Sequence, residues 1–400
     1  MVTERLTNHT AGRFVTRLAA TGGSVAWERV RRPMAHTATE VPRSAEAITP
    51  EWLTAVLCRD HPGAAVISYS VAGGSSGTST RAALRLVYNG AGADAGLATK
   101  LYAKTTTSLT QRLVLGLAQV IDGEIEFFNR IRPRLDIESP QGYFSALDQR
   151  TWRSISVLED VAATKAATFL HATSRISRQN IEGLLAGLAG MHGTMWRDHE
   201  VERADSWMKT PLDHLRNISS FISMRKRSAV GAHRARAVIP PPLLARIDDL
   251  WQGFERSMAY ATEAPMTFLH GDAHVGNTYI TGDGRMGWTD WQVCLRGSWA
   301  YDVAYILATA LEVEDRRAWE RDLLSFYLEH LARAGGEAPE LEEAWQTYRR
   351  HLFYPYYAWA FTIGRSALQP KMQPVEVCLP IIERASTAIH DLGALEAVGV

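Results

Sequence analysis

The groups best able to do chemistry lie close together in one stretch. Phe268-Leu269-His270-Gly271-Asp272-Ala273-His274-Val275-Gly276-Asn277 is followed by Gly287-Trp288-Thr289-Asp290-Trp291-Gln292. An Asp-x-x-x-x-Asn spacing, a hairpin, then a second Asp before an aromatic residue is a layout for phosphoryl transfer. Mg²⁺ takes hard oxygen ligands and shares its octahedral shell with phosphate and water, so Asn277 and Asp290 are the expected metal ligands. A tight loop would aim Asp272 at an incoming hydroxyl. An Asp of ordinary pKa, about 4, is too weak a base to strip an alcohol outright. A loose, metaphosphate-like transition state asks only for orientation and late proton acceptance.

Each piece alone is ordinary, and it is the conjunction of His270, Asp272, Asn277 and Asp290 that selects phosphotransfer. His270-x-x-x-His274 on a helix would read as a zinc pair. No third Cys, His or acidic ligand stands at a metalloprotease spacing, and Gly271 and Gly276 favour a loop. His270 and Asp302 are expected to hold the loop. His274 is placed with them, with an approach to substrate or phosphate left open.

The elements that must position these groups fall into two halves. Thr49 is expected to cap a helix that begins at Pro50, where a missing N–H costs nothing. Strands are expected at 66–72, 79–89 and 97–103. In the second, Ala82, Leu84, Leu86 and Tyr88 fall on one side. A helix over 109–132 ends at Pro133, and a strand covers 151–159. Beyond that, helices dominate: 180–196, 243–262, 301–312, 316–334, 341–364 and 375–392, with Pro355 and Pro380 expected to kink or divide the last two. Short β-runs at 267–269, 278–281 and 285–291 interrupt them, the last two joined by Gly282-Asp283-Gly284. The expected fold is α+β and bilobal, with a small antiparallel β-rich N-lobe and a larger helical C-lobe. The expected domains are a flexible Arg-rich extension at 1–47, an N-lobe at 48–160 and a C-lobe at 161–400. Residues 1–33 read as a tail or as a start placed before Met34, and less readily as a transit-like peptide.

Composition removes several classes. Lys plus Arg and Asp plus Glu both total 43, for a net charge of zero, so the chain is no general phosphate-backbone binder. With 46% apolar and 22% charged residues it can bury a core, and wholesale disorder is excluded. No uncharged apolar run approaches the ~18 residues of a membrane span. Cys58, Cys294 and Cys378 are too few and too scattered for a disulfide framework. A reducing, cytoplasmic setting is expected, with no nucleic acid, no membrane and no obligate protein partner.

His-Gly-Asp-x-His-x-x-Asn followed by Asp290-Trp291-Gln292 resembles the aminoglycoside phosphotransferase and choline kinase superfamily. The Gln brings it closest to the ecdysteroid-kinase-like branch. Gly297 and Tyr301-Asp302-Val303-Ala304-Tyr305-Ile306 resemble the Gly and the Asp-Leu-Ala-x-x-Leu that come next in that family. The resemblance spans roughly residues 66–365 and is most specific in the motif block. It implies ATP and Mg²⁺ as cofactors, Asp272 as the catalytic Asp, and Asn277 and Asp290 as Mg²⁺ ligands. It also implies Lys100 on the α- and β-phosphates, with Lys104 as its rival. Glu124 becomes the helix partner of that lysine, with Glu126 as rival. Ser156-Val157-Leu158-Glu159-Asp160 becomes the strand whose backbone meets adenine, with Glu159 as its marker. Gly74, Ser75 and Ser76 are the candidate phosphate loop, although Gly73 to Thr78 lacks the protein-kinase glycine pattern and reads equally as a hairpin turn. Trp291 replaces the family's more usual Phe.

The expected activity is transfer of the γ-phosphate of ATP to a hydroxyl of a small molecule. The alternative is a catalytically silent nucleotide- or ligand-binding protein of the same fold. The aromatic run Tyr348 to Phe361 reads as core that also contributes an apolar acceptor wall. Glu340, Glu342 and Glu343, which a polycationic acceptor would want, read as a solvated helix face.

Overall fold

The computed structural model describes residues 18–77, 79–263, 265–366 and 372–400. Its chain forms two compact units. The first takes the residues up to Pro133 together with Pro140–Thr164, and the second takes Arg134–Ser139 and Lys165–Val400. No described helix is long and apolar enough to cross a membrane.

The first unit is built on a five-stranded antiparallel sheet in the order β1-β2-β3-β5-β4. Its strands are β1 (Val66–Ser76), β2 (Thr80–Tyr88), β3 (Lys100–Thr105), β4 (Gly142–Asp148) and β5 (Arg153–Glu159). The alternation expected of the second strand is present, with Ala82, Leu84 and Leu86 buried. Leu101, Ala103, Ile155 and Val157 continue that core onto the central strands. Thr49 caps a helix over Pro50–Leu57, accepting a bond from the Trp52 amide at 3.2 Å. Trp52 and Leu53 of that helix are fully buried in the same core, where a buried Leu stabilises by about 2 kcal/mol.

Residues 18–47 are not the flexible extension expected of them. The described residues 18–31 are helical (α1), and Thr21, Val25 and Glu28 mark one buried face at helical spacing. Ala35, Val41 and Ala45 then pack into the sheet's core, and Trp52 Nε1 donates to the Glu40 carbonyl. Among the described residues Arg29, Arg31 and Arg32 are exposed, while the buried side is small, apolar or charge-paired. Residues 1–17 of the expected extension lie outside the described residues. With Pro50–Leu57 as α2, the single helix expected over 109–132 is two: α3 (Leu109–Leu117), and α4 (Gly123–Glu126), which continues as a π-turn over Phe127–Ile131. Gln119 at φ +53° breaks the run between them.

The second unit is mainly helical. Its longer helices are α5 (Arg178–Thr194), α6 (Pro211–Phe221), α7 (Met224–Ala235), α8 (Ile247–Tyr260), α9 (Ala300–Ala310), α10 (Val313–Arg333), α11 (Leu341–Arg350), α12 (Phe353–Ile363) and α13 (Val375–Asp391). α9 is buried along its whole length, as an almost uniformly apolar helix must be. The stretch over 341–364, expected to kink or divide at Pro355, divides at His351–Leu352 instead, and Pro355 sits in the first turn of α12, where no N–H is missed. α6 and α7 were not foreseen. α7 is rich in Arg and packs through small residues, so it carries no apolar stripe. A Cβ at Gly231 would run into the Ala360 carbonyl of α12.

Two small sheets carry the loops. β7 (Thr267–Leu269) pairs with β10 (Leu295–Gly297). β6 (Thr168–Phe169) pairs with β8 (Thr278–Ile280), and β8 with β9 (Met286–Trp288).

Candidate active site

The catalytic loop leaves β7 at Leu269 and is clamped at once from beneath. Asp302, fully buried in the first turn of α9, accepts the His270 amide at 2.7 Å on one oxygen and the Gly271 amide at 3.0 Å on the other. Gly271 has φ +79°, and a Cβ there would collide with the Val293 carbonyl. Only glycine meets both demands. His192 Nε2 lies 3.3 Å from Asp302, and its Nδ1 lies 2.7 Å from the Tyr327 hydroxyl. A carboxylate only accepts, so the proton sits on Nε2 and Tyr327 donates to Nδ1. This sequence-distant pair holds the clamp in place.

His270 is buried and works as a two-ended spacer. Its Nε2–H donates to the Thr289 carbonyl at 3.0 Å, and its Nδ1 accepts from the Asp272 amide at 3.3 Å. Burial pulls its pKa down, against the nearby carboxylates, and the neutral ring suits both bonds. The ring therefore ties the Asp272 turn to the segment that carries Asp290.

Asp272 is one-third exposed. Asn277 Nδ2 donates to its carbonyl at 2.9 Å and to its carboxylate at 3.0 Å. His274 accepts the Gly276 amide on Nδ1 at 3.0 Å, which leaves Nε2 facing the Asp272 carboxylate at 3.6 Å. Tyr305, one turn along α9 from Asp302, bonds the same carboxylate. Burial works to raise the Asp272 pKa, but His274, His270 and the Tyr305 hydroxyl outweigh it and hold the carboxyl well below its usual range. Asp272 is thus a fixed, ionised acceptor.

Asp290 follows β9 with φ +63°, a left-handed backbone that Asp tolerates better than most residues. The Thr289 amide donates to the Asn277 carbonyl at 2.9 Å, which ties the backbone just before Asp290 to the Asn277 turn. Trp291 anchors the far side. It is fully buried, its ring lies 4.5 Å from that of His270, and its Nε1 donates to Ser139 at 3.1 Å. The bulk that sets this position apart is used to lock the Asp290 turn. Asn277 spends its nitrogen on Asp272, which presents its oxygen elsewhere. One amide oxygen and one carboxylate form a donor set that suits Mg²⁺ shared with phosphates. Among the described residues no group of three or more His, Cys, Asp or Glu is placed to hold a metal.

In the first unit the structure corrects the lysine. Glu124 pairs with Lys104, Nζ to Oε2 at 2.5 Å, and both side chains are buried. Lys100 starts β3, is exposed, and donates to the Ala163 carbonyl at 3.3 Å. Strand parity does not decide this, since both lysines share a face; β3 begins at Lys100 rather than at Leu97, so Lys104 sits inside the sheet between Arg81 and Ser156. Glu126, the rival to Glu124, pairs with Arg130 instead. Glu159 ends β5. Its amide donates to the Gln141 carbonyl at 2.8 Å, and its carboxylate accepts from Thr164 at 2.7 Å. The Asp160 amide is likewise committed, to the Lys100 carbonyl at 3.3 Å. Gly74 and Ser75 are exposed in β1, and the ladder to β2 runs on through Ser75↔Arg81, so the segment is a continued hairpin. The Ser76 side chain lies outside the described residues.

Sequence reading missed three neighbours of Asp272. Tyr305 was legible as the residue one helical turn from Asp302. Trp359 of α12 meets the His274 ring edge-on at 5.2 Å, so part of the aromatic run borders the loop while Phe353 and Tyr356 are core. His214 of α6 is buried with Nδ1 unpartnered. Burial, and then Lys209, pull its pKa down to about 4, while the Asp272 charge acts the other way. Nothing in its local sequence pointed there.

A carboxylate bonded to the Asn277 amide, on a loop clamped by a buried aspartate and tied through His270 to the residue before Asp290, is a layout suited to phosphotransfer. The sequence matches the phosphotransferase enzyme family over residues 102–351, more than half of the chain, and the chain belongs to that family. No curated protein matches it. It is similar to several solved structures at low identity. Choline kinase LicA from Streptococcus pneumoniae is 12% identical with a TM-score of 0.45, over 82% of this chain and 94% of that one. The macrolide 2'-phosphotransferase MphH from Brachybacterium faecium is 15% identical with a TM-score of 0.42, over 79% and 95%. An ethanolamine kinase from Plasmodium vivax is 10% identical with a TM-score of 0.42, over 80% and 81%.

Proposed function

We propose that the protein transfers the γ-phosphate of ATP to a hydroxyl group of a small molecule. The observation that carries this reading is Asp272: ionised, partly exposed, and held by Asn277, His274 and Tyr305. The acceptor oxygen attacks the γ-phosphorus, the bond from that phosphorus to the bridging oxygen of ADP breaks, and the hydroxyl proton passes to a carboxylate oxygen of Asp272. With its carboxyl held below the ordinary range, Asp272 orients the hydroxyl and receives the proton late. His274 keeps the carboxylate aimed. Asn277 and Asp290 would hold Mg²⁺, which supplies charge neutralisation at the phosphates. Lys104, fixed by Glu124, is the lysine we assign to the nucleotide phosphates, in place of Lys100.

The setting in this reading is cytoplasmic and reducing, in keeping with Cys58, Cys294 and Cys378 being free thiols. The partner is a small hydroxylated acceptor, with no nucleic acid or membrane. The test is turnover of Mg-ATP by the purified protein against a panel of aminoglycosides, macrolides, choline, sterols, nucleosides and sugars, with Asp272→Asn alongside. Acceptor-dependent ADP release that the variant loses supports the reading. Mg-ATP binding with no product on any acceptor favours the silent-binder alternative.

A further inference from the structure

α1 lies outside the segment that matches the family, yet it supplies the carboxylate partner of a buried arginine on α3. Arg112 of α3 has no exposed surface. Its two terminal nitrogens meet Glu28 of α1 at 2.9 and 2.5 Å, oxygen for oxygen. Its Nε donates to the Thr106 carbonyl at 3.1 Å. Ser24 donates to Glu28 at 2.8 Å, and Arg153 of β5 approaches the same carboxylate at 3.4 Å. Burial disfavours the Glu28 charge, but Arg112, Ser24 and Arg153 outweigh it and keep the carboxyl ionised.

Thr106 is where the contact reaches function. It directly follows β3, two residues beyond Lys104. Its amide and hydroxyl bind the β5 edge: the amide donates to Ser154 at 3.2 Å, and the hydroxyl accepts the Ser154 amide at 2.9 Å and donates to the Trp152 carbonyl at 3.0 Å. The Arg112 guanidinium closes this knot from the helix side. Removing Glu28 would leave a fully buried cation with one carbonyl and no carboxylate held in two-point contact, a state that a protein relieves by moving the cation.

We propose that Glu28 is a positioning residue for the phosphate lysine: through Arg112 and Thr106, α1 sets the end of β3 and with it the reach of Lys104. The inference rests on the phosphotransferase reading, since it assumes that Lys104 meets nucleotide. The probe is Mg-ADP, its affinity read by calorimetry, with the melting midpoint read by circular dichroism. Three full-length proteins are compared: wild type, Glu28→Gln, and the paired Glu28→Leu, Arg112→Met. The paired variant removes the charges together, so it should melt near wild type.

Glu28→Gln should melt lower and bind Mg-ADP about tenfold more weakly, a change of about 1.4 kcal/mol. The paired variant should regain the melting midpoint without regaining the affinity, because Thr106 still lacks its guanidinium. A merely structural role predicts the opposite: affinity returning together with the midpoint, or never changing in folded protein. Either result overturns the proposal. Absence of Mg-ADP binding by wild type would instead overturn the phosphotransferase reading and take this inference with it.

Discussion

The loop from His270 to Asp290 and the sheet that carries Lys104 solve one problem, holding charged groups still, by different means. In the loop the groups are near neighbours in sequence and are held mainly through backbone amides. Asp302 takes two of them, and His270 bridges to a third and to a carbonyl. In the sheet, Lys104 and Glu124 come from a strand and from a helix beyond an intervening one, and they hold each other in a buried ion pair. The first arrangement places a charge while leaving Asp272 open to an incoming molecule. The second consumes both charges in one another. The loop's groups can therefore be read as one local motif, whereas the partner of the lysine cannot.

The sharpest way to press this comparison is to remove one charge from the loop. Asp272→Asn keeps the bond geometry but not the proton acceptor, so kcat should fall by about 10³-fold. Its melting midpoint should also fall, because the partners of the carboxylate outweigh burial and its ionised form stabilises the folded protein.

Acid presses on the second unit through two of its buried histidines. His214 and His351 have pKa values pushed down to about 4 by burial, against 6.5 for an ordinary histidine. Folded protein keeps them neutral where the unfolded chain would protonate them. Their contribution is complete above pH 6.5 and is lost as pH falls towards 4, by about 3 kcal/mol for each histidine. Urea unfolding across that range should show the decline, and His351→Gln should flatten part of it. A flat profile in wild type would refute the assignment.

Next comes the clamp. Asp302→Ala orphans the His270 and Gly271 amides inside the protein, at a cost of about 3 kcal/mol. Urea unfolding gives the number, and turnover should fall with it because the Asp272 turn loosens. Unchanged stability would mean that the loop is held some other way.

The smallest expected effect separates the two lysines. Lys104→Met should weaken Mg-ADP binding about tenfold or more, the value of a charged hydrogen bond of roughly 1.5 kcal/mol. Lys100→Met should leave it within about twofold of wild type, since that side chain is exposed and bonded to a single carbonyl. The reverse order would restore the lysine that the family resemblance first suggested.

Much of the site was legible because its information is local. Asp272, Asn277, Asp290, His270 and Asp302 carry the spacing in the sequence itself, and the glycines that the loop requires stand beside them. The cap at Thr49, the inward face of β2 and the Gly282–Gly284 hairpin were legible for the same reason: each depends on residues within a turn or a strand of one another. Where the reading failed, the deciding partner was far away. Lys100 and Lys104 share a strand face, and only the Glu124 carboxylate distinguishes them. Residues 18–47 look unstructured in isolation, because what orders them is Arg112 and the underside of a sheet. α7 shows no apolar stripe, because its partner helix is met through backbone and small side chains.

The sequence by itself determined which groups are offered, in what order, and on a loop rather than a helix. These follow from residue type and short spacing, which local sterics and hydrogen bonding read directly. The tertiary structure alone decided which lysine is buried, that Asp272 is held ionised by His274 and Tyr305, and that α1 belongs to the folded unit. Each of those outcomes depends on desolvation and on a partner at long range. A buried charge is tolerable only beside its partner, and only folding brings that partner to it.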